Sequence, residues 1–259
     1  MNRKRKSFEG VWNIIRFNWH FYILATVALI IVGWLYSLLP SSYSIFVTLI
    51  FVSIVITTLN SLLVSFYVYD ISDLYKLKWL NKIGLESTLN QKIVNINAGF
   101  DETSHLLAQH FSTAQLSVFD FYDAEKHTEI SIQRARKVYP PYPNTRVIQT
   151  THLPLADKSI DTIFLFLAAH EIRNTEERTI FLKELKRVCK ENGQIILIEH
   201  LRDVPNFLAY TIGFLHFIAL PAWLKNFQEA DLFLSQKFKI TPFITVFVLE
   251  NSDFSNQKN

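Results

Sequence analysis

The amino-acid sequence predicts an α/β domain with a mostly parallel sheet, preceded by two membrane-spanning helices. Two observations lead to this prediction. Between Arg16 and Asp70 the chain has no Asp, Glu, Lys or Arg, and from Asn81 onward short β-type runs alternate with helical stretches. With 259 residues the chain is long enough for one or two domains with their own cores. The single cysteine, Cys189, excludes a disulfide framework and a Cys-based zinc site.

The uncharged segment contains two apolar runs of membrane-spanning length. Phe21–Leu39 has 19 residues and Ile45–Val68 has 24, and a helix of roughly 20 residues crosses a hydrocarbon core of about 30 Å. Pro40–Ser44 between them is a turn, which predicts a hairpin with spans at about 20–39 and 45–68. A signal peptide would need a shorter apolar core and no second span. A buried soluble hairpin would be unusual with so long an uncharged segment.

Positive charge lies on one side of the predicted hairpin. The Arg3–Lys6 cluster precedes it, Lys76, Lys78 and Lys82 follow it, and the tip carries no charge. The positive-inside rule therefore predicts a two-span protein of the inner, cytoplasmic membrane, with both termini and the rest of the chain in the cytoplasm. The net charge of +3 comes from the N-terminal segment, so a nucleic-acid partner is not expected.

Residues 1–80 are thus predicted to be a membrane anchor with a basic N-terminus, 81–250 an α/β domain, and 251–259 a polar tail. Five strands are followed by a closing antiparallel pair, and the fourth strand is apolar enough to be buried on both faces. The predicted strands are Lys92–Asn97, Gln115–Phe121, Arg146–Thr150, Ile160–Ala168, Gln194–Glu199, Asp231–Lys239 and Pro242–Glu250. The predicted helices are Asp101–Phe111, Ala124–Val138, a helix from an Asn174 or Thr175 cap to a stop at Gly193, and Pro205–Leu220.

Four short motifs occur in order along this domain. Ile93–Gly99 places a strand before a glycine loop, and Asp120 ends the second strand. Leu153–Leu155 with Ser159–Phe164 is similar to an "LPF…SFD" step, and Glu184–Gly193 is similar to an "E-L-x-R-V-L-K-P-G-G" helix exit. Together, residues 91–250 resemble the class I S-adenosylmethionine-dependent methyltransferases. The resemblance implies a Rossmann-like, doubly wound, mostly parallel seven-stranded sheet, with S-adenosyl-L-methionine as cofactor.

The resemblance also implies a cofactor site in which Asp120 accepts hydrogen bonds from the ribose and Phe121 packs on the adenine. The glycine loop departs from the family pattern, because Asn97 and Asp101 replace the outer two of its three glycines. Asn97 is a workable substitute because Asn tolerates left-handed backbone angles, and Asp101 could cap the next helix and face the sulfonium. Thr150 and Thr151 stand where the family often has an acidic residue. The candidate cofactor-binding residues are Asn97, Gly99, Asp101, Asp120, Phe121, Thr151 and His152.

Two His/Glu pairs are the candidate catalytic residues. His170-Glu171 follows the fourth strand and Glu199-His200 follows the fifth, so both pairs meet at the carboxyl edge if these strands are neighbours. We expect His200 or His170 to remove a proton from a substrate hydroxyl, with Glu171 or Glu199 orienting it. These residue types also suit a divalent metal, but the sequence does not fix its geometry and no metal ligand is assigned.

The apolar stretch Val204–Leu220 is either an ordinary sheet-covering helix or a membrane-facing rim through which a lipid-like acceptor reaches the cofactor. The sequence therefore predicts a membrane-anchored methyltransferase that acts on an apolar or lipid-like acceptor at a hydroxyl. One alternative is a catalytically inactive scaffold or sensor of the same fold, because the glycine loop is degenerate. Another is a metal-assisted lipid hydrolase that uses the His/Glu pairs. The acceptor's identity and the oligomeric state are not predicted.

Overall fold

The structure, a computed structural model, describes residues 5–85, 89–126 and 129–251. Its N-terminal part is helical. The helices are α1 (Glu9–Phe17), α2 (Trp19–Leu38) and α3 (Ser44–Phe66), which continues as a π-helical turn, Tyr67–Ile71. Short 3-10 helices occur at Ser41–Tyr43, in the turn between α2 and α3, and at Lys78–Ile83. Of the predicted basic N-terminal cluster, Arg3 and Lys4 lie outside the described residues.

Helices α2 and α3 match the two predicted spans. Trp19–Leu38 has a mean hydropathy of 2.1 and Ser41–Ile71 one of 2.3, so both are long and apolar enough to cross a membrane by length and composition. Their large apolar side chains point outward: Ile30 and Leu63 are each 66% exposed and Phe46 is 63% exposed. An exposed apolar surface of this extent is typical of a membrane or protein–protein interaction site.

The α/β domain is built on one seven-stranded sheet with the order β3-β2-β1-β4-β5-β7-β6. The first five strands are parallel, whereas β7 is antiparallel to both β5 and β6. The strands are β1 (Lys92–Asn97), β2 (Gln115–Asp120), β3 (Arg146–Val147), β4 (Ile160–Phe166), β5 (Cys189–His200), β6 (Leu232–Thr241) and β7 (Ile244–Asn251). The helices are α4 (Ser104–His110), α5 (Ile130–Val138), α6 (Thr175–Val188), α7 (Val204–Tyr210) and α8 (Leu220–Glu229), with 3-10 helices at Ala169–Glu171 and Thr211–His216.

Both faces of the sheet are covered by apolar side chains. On one face, Phe181 of α6 and Trp223 of α8 are fully buried against strand residues such as Ile163. On the other face, Trp79 and Leu80, in the segment after α3, are buried with residues such as Ile196 and Val246. The predicted boundary at residue 80 falls in this packed segment, which joins α2 and α3 to the sheet.

Three helix predictions are wrong in part. Gly193 does not end α6, which stops at Val188, because the chain passes directly into β5, where Cys189 pairs with Ile160. At Gly193 a Cβ would lie 2.7 Å from the Cys189 sulfur, so the glycine serves packing rather than a cap.

The Pro205–Leu220 helix is interrupted at Thr211, whose φ is 49°, and α8 was not predicted. The predicted Ala124–Val138 helix begins only at Ile130, after the undescribed residues 127–128.

The strand predictions agree with the structure in order and direction. The Arg146–Thr150 strand is shorter, because only Arg146 and Val147 pair with β2. The closing antiparallel pair is confirmed, and it extends to Thr241 and Asn251. Of the predicted tail, residues 252–259 lie outside the described residues.

Candidate active site

The parallel pairing of β4 with β5 brings the two His/Glu pairs together at the carboxyl edge of the sheet. Glu199 and His200 are the last residues of β5, whereas His170 and Glu171 lie in the 3-10 helix just after β4. All four side chains are buried, and Glu199 is fully so. Buried charged groups require partners, so their hydrogen bonds decide which of them is available for chemistry.

His170 is held by two carboxylates. Its Nδ1 lies 2.6 Å from Glu199 Oε2, and its Nε2 lies 3.2 Å from Glu171 Oε1. Burial alone would lower the pKa of His170, but the charge of Glu199 and the hydrogen bonds to both carboxylates raise it above its ordinary value. Burial would raise the pKa of Glu171, but hydrogen bonds from His170 and His216 hold it well below its usual range. In this arrangement His170 is a cation without a free lone pair for a substrate proton.

His200 is in the opposite state. Its Nδ1 lies 3.0 Å from Asn206 Oδ1 and 3.1 Å from the carbonyl oxygen of Phe243, and both of these atoms are acceptors. The Nδ1 therefore carries the hydrogen, and Nε2 accepts a hydrogen bond of 2.8 Å from the Tyr69 hydroxyl. Burial lowers the pKa of His200 to about 4. This histidine is a neutral acceptor, connected to the site through Tyr69.

A cavity of about 230 Å³ opens beside these residues. Asn97 and Ala98 of the glycine loop line one side and His170 and Glu171 line another. Tyr69, Tyr75 and residues of α1 also contribute to its wall. The space next to the glycine loop is therefore not filled by the protein's own side chains.

Helix α1 covers this cavity and is fixed by the end of α3. The two carboxylate oxygens of Asp70 accept hydrogen bonds of 2.8 Å from the backbone N–H groups of Gly10 and Val11, at the helix N-terminus. A Cβ on Gly10 would lie 2.4 Å from the Cβ of Tyr69, so only glycine allows this close approach. Asn13 on the same face donates to Glu102 and accepts from Tyr139.

A second cavity of about 450 Å³ adjoins the first on the side of the apolar helices. It is lined by Tyr22 of α2, by Thr57 and Ser61 of α3, and by Tyr210 and Ile212. The two cavities share seven lining residues, namely Ile14, Asn18, Tyr69, Ser131, Glu171, His216 and Phe217. The space between the membrane-type helices therefore adjoins the space at the sheet edge.

The glycine loop is tight even though it contains one glycine. Gly99 has a φ of +95°, and a Cβ there would lie 2.9 Å from both Arg136 and Tyr122. Asn97 contributes through its side chain rather than through a left-handed backbone, because its Oδ1 accepts from Gly99 N–H at 3.0 Å. Asp101 caps α4, as predicted, by accepting from the N–H groups of Thr103 and Ser104. It lines a separate small cleft with Arg5 and Glu102.

Asp120 ends β2 at the position predicted for the ribose acceptor. Its Oδ1 accepts from the Tyr122 N–H at 2.8 Å, while its Oδ2 is paired with the Arg136 guanidinium. Arg136 also donates to the Gly99 carbonyl oxygen at 3.3 Å and stacks over the Tyr122 ring at 4.4 Å. The carboxylate is thus at the expected position but is engaged by a side chain of α5.

A third cavity of about 440 Å³ is lined by residues that follow β2 and by residues of and after β3. Phe121, which was predicted to pack on the adenine, lines it together with Tyr122, Thr150 and Thr151. His152 is not brought to it: its side chain is 72% exposed and lies 3.7 Å from Glu184. Phe121 thus lines the third cavity and Asn97 lines the first, whereas Gly99 and Asp120 line neither of the two.

Several site residues were missed by the sequence reasoning. Tyr69 and Arg136 carry no motif, and His216 was noted only as a titratable member of an apolar stretch. Glu129 lies just before α5, outside any motif, and contacts His216 at 2.9 Å. For α1 a signal existed, because its buried residues Gly10, Asn13 and Phe17 recur at helical spacing.

Comparison with known proteins gives the following matches. The family described as "Methyltransferase domain" matches residues 96–197. A ubiquinone/menaquinone biosynthesis C-methyltransferase of Geotalea daltonii is 28% identical over 123 residues, which cover 47% of this chain and 49% of that protein. The chain therefore spans about half the length of this curated relative.

Solved structures are similar at lower identity. A SAM-dependent methyltransferase from Aquifex aeolicus is 16% identical with a TM-score of 0.48, covering 69% of this chain and 89% of that one. Geranyl diphosphate C-methyltransferase from Streptomyces coelicolor is 10% identical with a TM-score of 0.48, covering 68% and 78%. The family match over residues 96–197, together with the strand order and its antiparallel β7, supports a class I S-adenosylmethionine-dependent methyltransferase domain.

Proposed function

We propose that this protein is a membrane-anchored methyltransferase whose acceptor is an apolar, lipid-like molecule with a hydroxyl group that enters from the bilayer. The observation that carries the proposal is the pair of adjoining cavities. One lies at the glycine loop and the His/Glu cluster, and the other lies between α2, α3 and the α7 region. An acceptor dissolved in the membrane would reach the site along this path without crossing water.

The exposed surface around the second cavity supports a membrane location. Phe8, just before α1, is 60% exposed, Trp12 of α1 is 59% exposed, and Ile212, beyond α7, is 78% exposed. Asn60 of α3 donates a hydrogen bond of 2.7 Å to the Leu208 carbonyl oxygen, which connects this surface to the spans. Aromatic and apolar side chains of this kind are typical of segments that lie in the membrane interface.

The positive charges support the proposed orientation. Arg5 and Lys6 before the hairpin, and Lys76 and Lys78 after it, all lie at the end that carries the α/β domain. By the positive-inside rule this end faces the cytoplasm. We propose a two-span protein of the cytoplasmic membrane with its site just below the bilayer surface.

The cofactor would be held by Asn97, Gly99, Asp120 and Phe121, with Thr151 at its adenine end. When bound, S-adenosylmethionine supplies a methyl group on a positively charged sulfur. The chain's own side chains then have to orient the acceptor and accept its proton, as required for a weakly acidic hydroxyl. The tight Gly99 turn and the open space beside Asn97 suit the methionine end.

Tyr69 and His200 are the proposed proton path. Tyr69 lines both cavities and already donates its hydrogen to the neutral Nε2 of His200. An acceptor hydroxyl bound beside Tyr69 would give its proton to the Tyr69 oxygen, while the Tyr69 proton moves to His200. The methyl transfer removes a positive charge from the cavity, which favours a new charge on His200. In this proposal Glu199 and Glu171 orient His170, and His170 is not the base.

An inactive scaffold is the second candidate function, and the Arg136–Asp120 ion pair favours it because it engages the ribose acceptor. The open space beside Asn97 and Ala98 argues against it. Arg136 is also 37% exposed and stands on a short helix, so it is free to rotate away. The two functions differ in whether the protein binds S-adenosylmethionine at all.

The test uses full-length protein reconstituted with a lipid extract and a methyl-labelled donor. We expect label in the organic phase with the wild type, and about a hundredfold less or lower with Tyr69→Phe. Tyr43→Phe, at the hairpin tip, is the matched control and should transfer at the wild-type rate. Folded wild-type protein that binds the donor but places no label in lipid would contradict the proposal.

A further inference from the structure

Three potential metal-ligand atoms converge beside the first cavity. The Nε2 of His170 and the Nε2 of His216 lie 3.2 Å and 3.1 Å from the same oxygen, Glu171 Oε1. The ligand atoms of the three residues all lie within 4.8 Å of one another. A metal bound by imidazole or carboxylate at about 2.0–2.1 Å has neighbouring ligand atoms about 3.0–3.4 Å apart. The two spacings to Glu171 match this requirement.

Each histidine is also held from behind by a carboxylate. The Nδ1 of His170 lies 2.6 Å from Glu199, which is fully buried, and the Nδ1 of His216 lies 2.9 Å from Glu129. Metal-binding histidines donate their second ring N–H to a carboxylate in this way, which orients the ring so that an ion can replace the proton on Nε2. Both rings therefore have the outer contacts of a metal ligand.

The surroundings of the cluster also suit a cation. Three carboxylates contact the two imidazole rings, namely those of Glu129, Glu171 and Glu199. The Arg173 guanidinium lies against His216, with Nη2 at 2.7 Å from Nε2. Arg173 is exposed, so it has room to swing into solvent when an ion takes its place. Arg178, which is buried, stays close enough to Glu199 to interact with its charge.

We propose that His170, Glu171 and His216 bind one divalent transition-metal ion. Two imidazoles and one carboxylate suit Zn²⁺, Co²⁺, Mn²⁺ or Fe²⁺ rather than Mg²⁺ or Ca²⁺, which prefer oxygen ligands. Glu171 and His216 line both cavities, so the remaining coordination positions face the proposed acceptor path. The ion would bind the acceptor hydroxyl oxygen as a Lewis acid and make its proton easier to lose to Tyr69. This role rests on the proposed function, whereas the binding site does not.

The test measures metal bound to full-length, tag-free protein in detergent. The protein is stripped with a chelator, loaded with Zn²⁺ or Co²⁺, and freed of excess ion before elemental analysis. We expect one equivalent in the wild type and at least a tenfold lower content in His216→Gln. The matched control is His110→Gln, an exposed histidine on α4, which should keep one equivalent. Bound Co²⁺ should also give visible absorption bands that His216→Gln lacks.

Folded wild-type protein with less than a tenth of an equivalent of either ion would overturn the inference, as would equal metal in His216→Gln. Thermal unfolding curves establish that each variant is folded. Stripped protein that transfers methyl groups at the full rate and binds no ion overturns the inference but leaves the proposed function intact. One bound equivalent without any methyl transfer supports the site and contradicts the proposed function.

Discussion

At the β1–β2 part of the sheet edge, Asp120 is paired with Arg136, which is 37% exposed, whereas at the β4–β5 part Glu199 is paired with a buried His170. We call these the cofactor half and the acceptor half of the site. In the cofactor half, the polar contacts are made by residues of the methyltransferase domain itself. In the acceptor half, α1, the end of α3 and the 3-10 helix before α8 contribute Gly10, Tyr69 and His216.

The difference in exposure between the two ion pairs predicts how each half of the site responds to substitution. Water compensates the partly exposed Arg136 when it leaves this ion pair, whereas the buried Asp120 needs another partner, which a ligand hydroxyl can supply. A buried ionic cluster does not, because removing one partner leaves an uncompensated charge. We therefore expect substitutions in the acceptor half to change stability, and those in the cofactor half to change ligand affinity.

The largest effect is expected for Glu199→Gln. This substitution leaves His170 beside a neutral amide in a fully buried position, and breaking a buried ion pair costs about 3–5 kcal/mol. Chemical denaturation in detergent should show this loss in the free energy of unfolding. Glu191→Gln, whose carboxylate pairs with Lys158 at the surface, should leave it close to the wild-type value. Equal effects of the two substitutions would remove the distinction between the halves.

His200 gives the acceptor half a defined pH dependence. Burial lowers its pKa to about 4, whereas in the unfolded chain it is about 6.5. Between these values the unfolded state binds a proton that the folded state does not, so stability falls as the pH falls from 6.5 to 4. The loss is about 3 kcal/mol, and His200 has no effect above pH 6.5. We measure the free energy of unfolding against pH for three proteins. The decrease between pH 6.5 and 4 should be smaller in His200→Gln than in wild type, and His110→Gln should keep the wild-type decrease. An equal decrease in all three proteins would refute the assignment of this pH dependence to His200.

Asp120→Asn addresses the cofactor half. Hydrogen bonds to a charged group contribute about 1.5–3 kcal/mol, so we expect about a 10- to 100-fold weaker affinity for S-adenosylmethionine. Isothermal titration of the full-length protein measures it, and the midpoint of thermal unfolding should change little. An unchanged affinity would mean that Asp120 does not hold the ribose.

The smallest effect is expected for Arg136→Ala, and it has the opposite sign. Removing the competing guanidinium frees the buried Asp120 carboxylate, and because the guanidinium itself is 37% exposed we expect its competition to be worth only about 0.2–1 kcal/mol. Affinity for S-adenosylmethionine should rise by roughly two- to fivefold. A loss of affinity would instead make Arg136 a ligand of the cofactor.

The sequence predicted the sheet and the β4–β5 edge because these depend on local patterns. The strands were predicted from apolar β-type runs. Residues that follow neighbouring parallel strands lie at the same edge of the sheet, and this rule predicted that Glu171 lies near Glu199. Gly193 was misread because a local stop signal was overridden by the pairing of Cys189 with Ile160. Strand pairing across the sheet is not visible in a single segment.

The acceptor half could be predicted only in part because its contacts are distant in sequence. Tyr69 meets His200 across 131 positions. The cover formed by α1 depends on the contact of Gly10 with Tyr69, which requires the π-helical turn at the end of α3. Such contacts are fixed by packing, which composition and spacing do not encode.

The most direct test of the account blocks the path between the bilayer and the site. Ser61→Trp places a large ring in the second cavity, and Ser53→Trp places the same ring on an exposed position of the same helix. In vesicles made from a lipid extract, with a methyl-labelled donor, Ser61→Trp should lose label transfer into lipid while its affinity for S-adenosylmethionine stays at the wild-type value. Ser53→Trp should keep both. Full transfer by Ser61→Trp would contradict entry of the acceptor through the membrane helices.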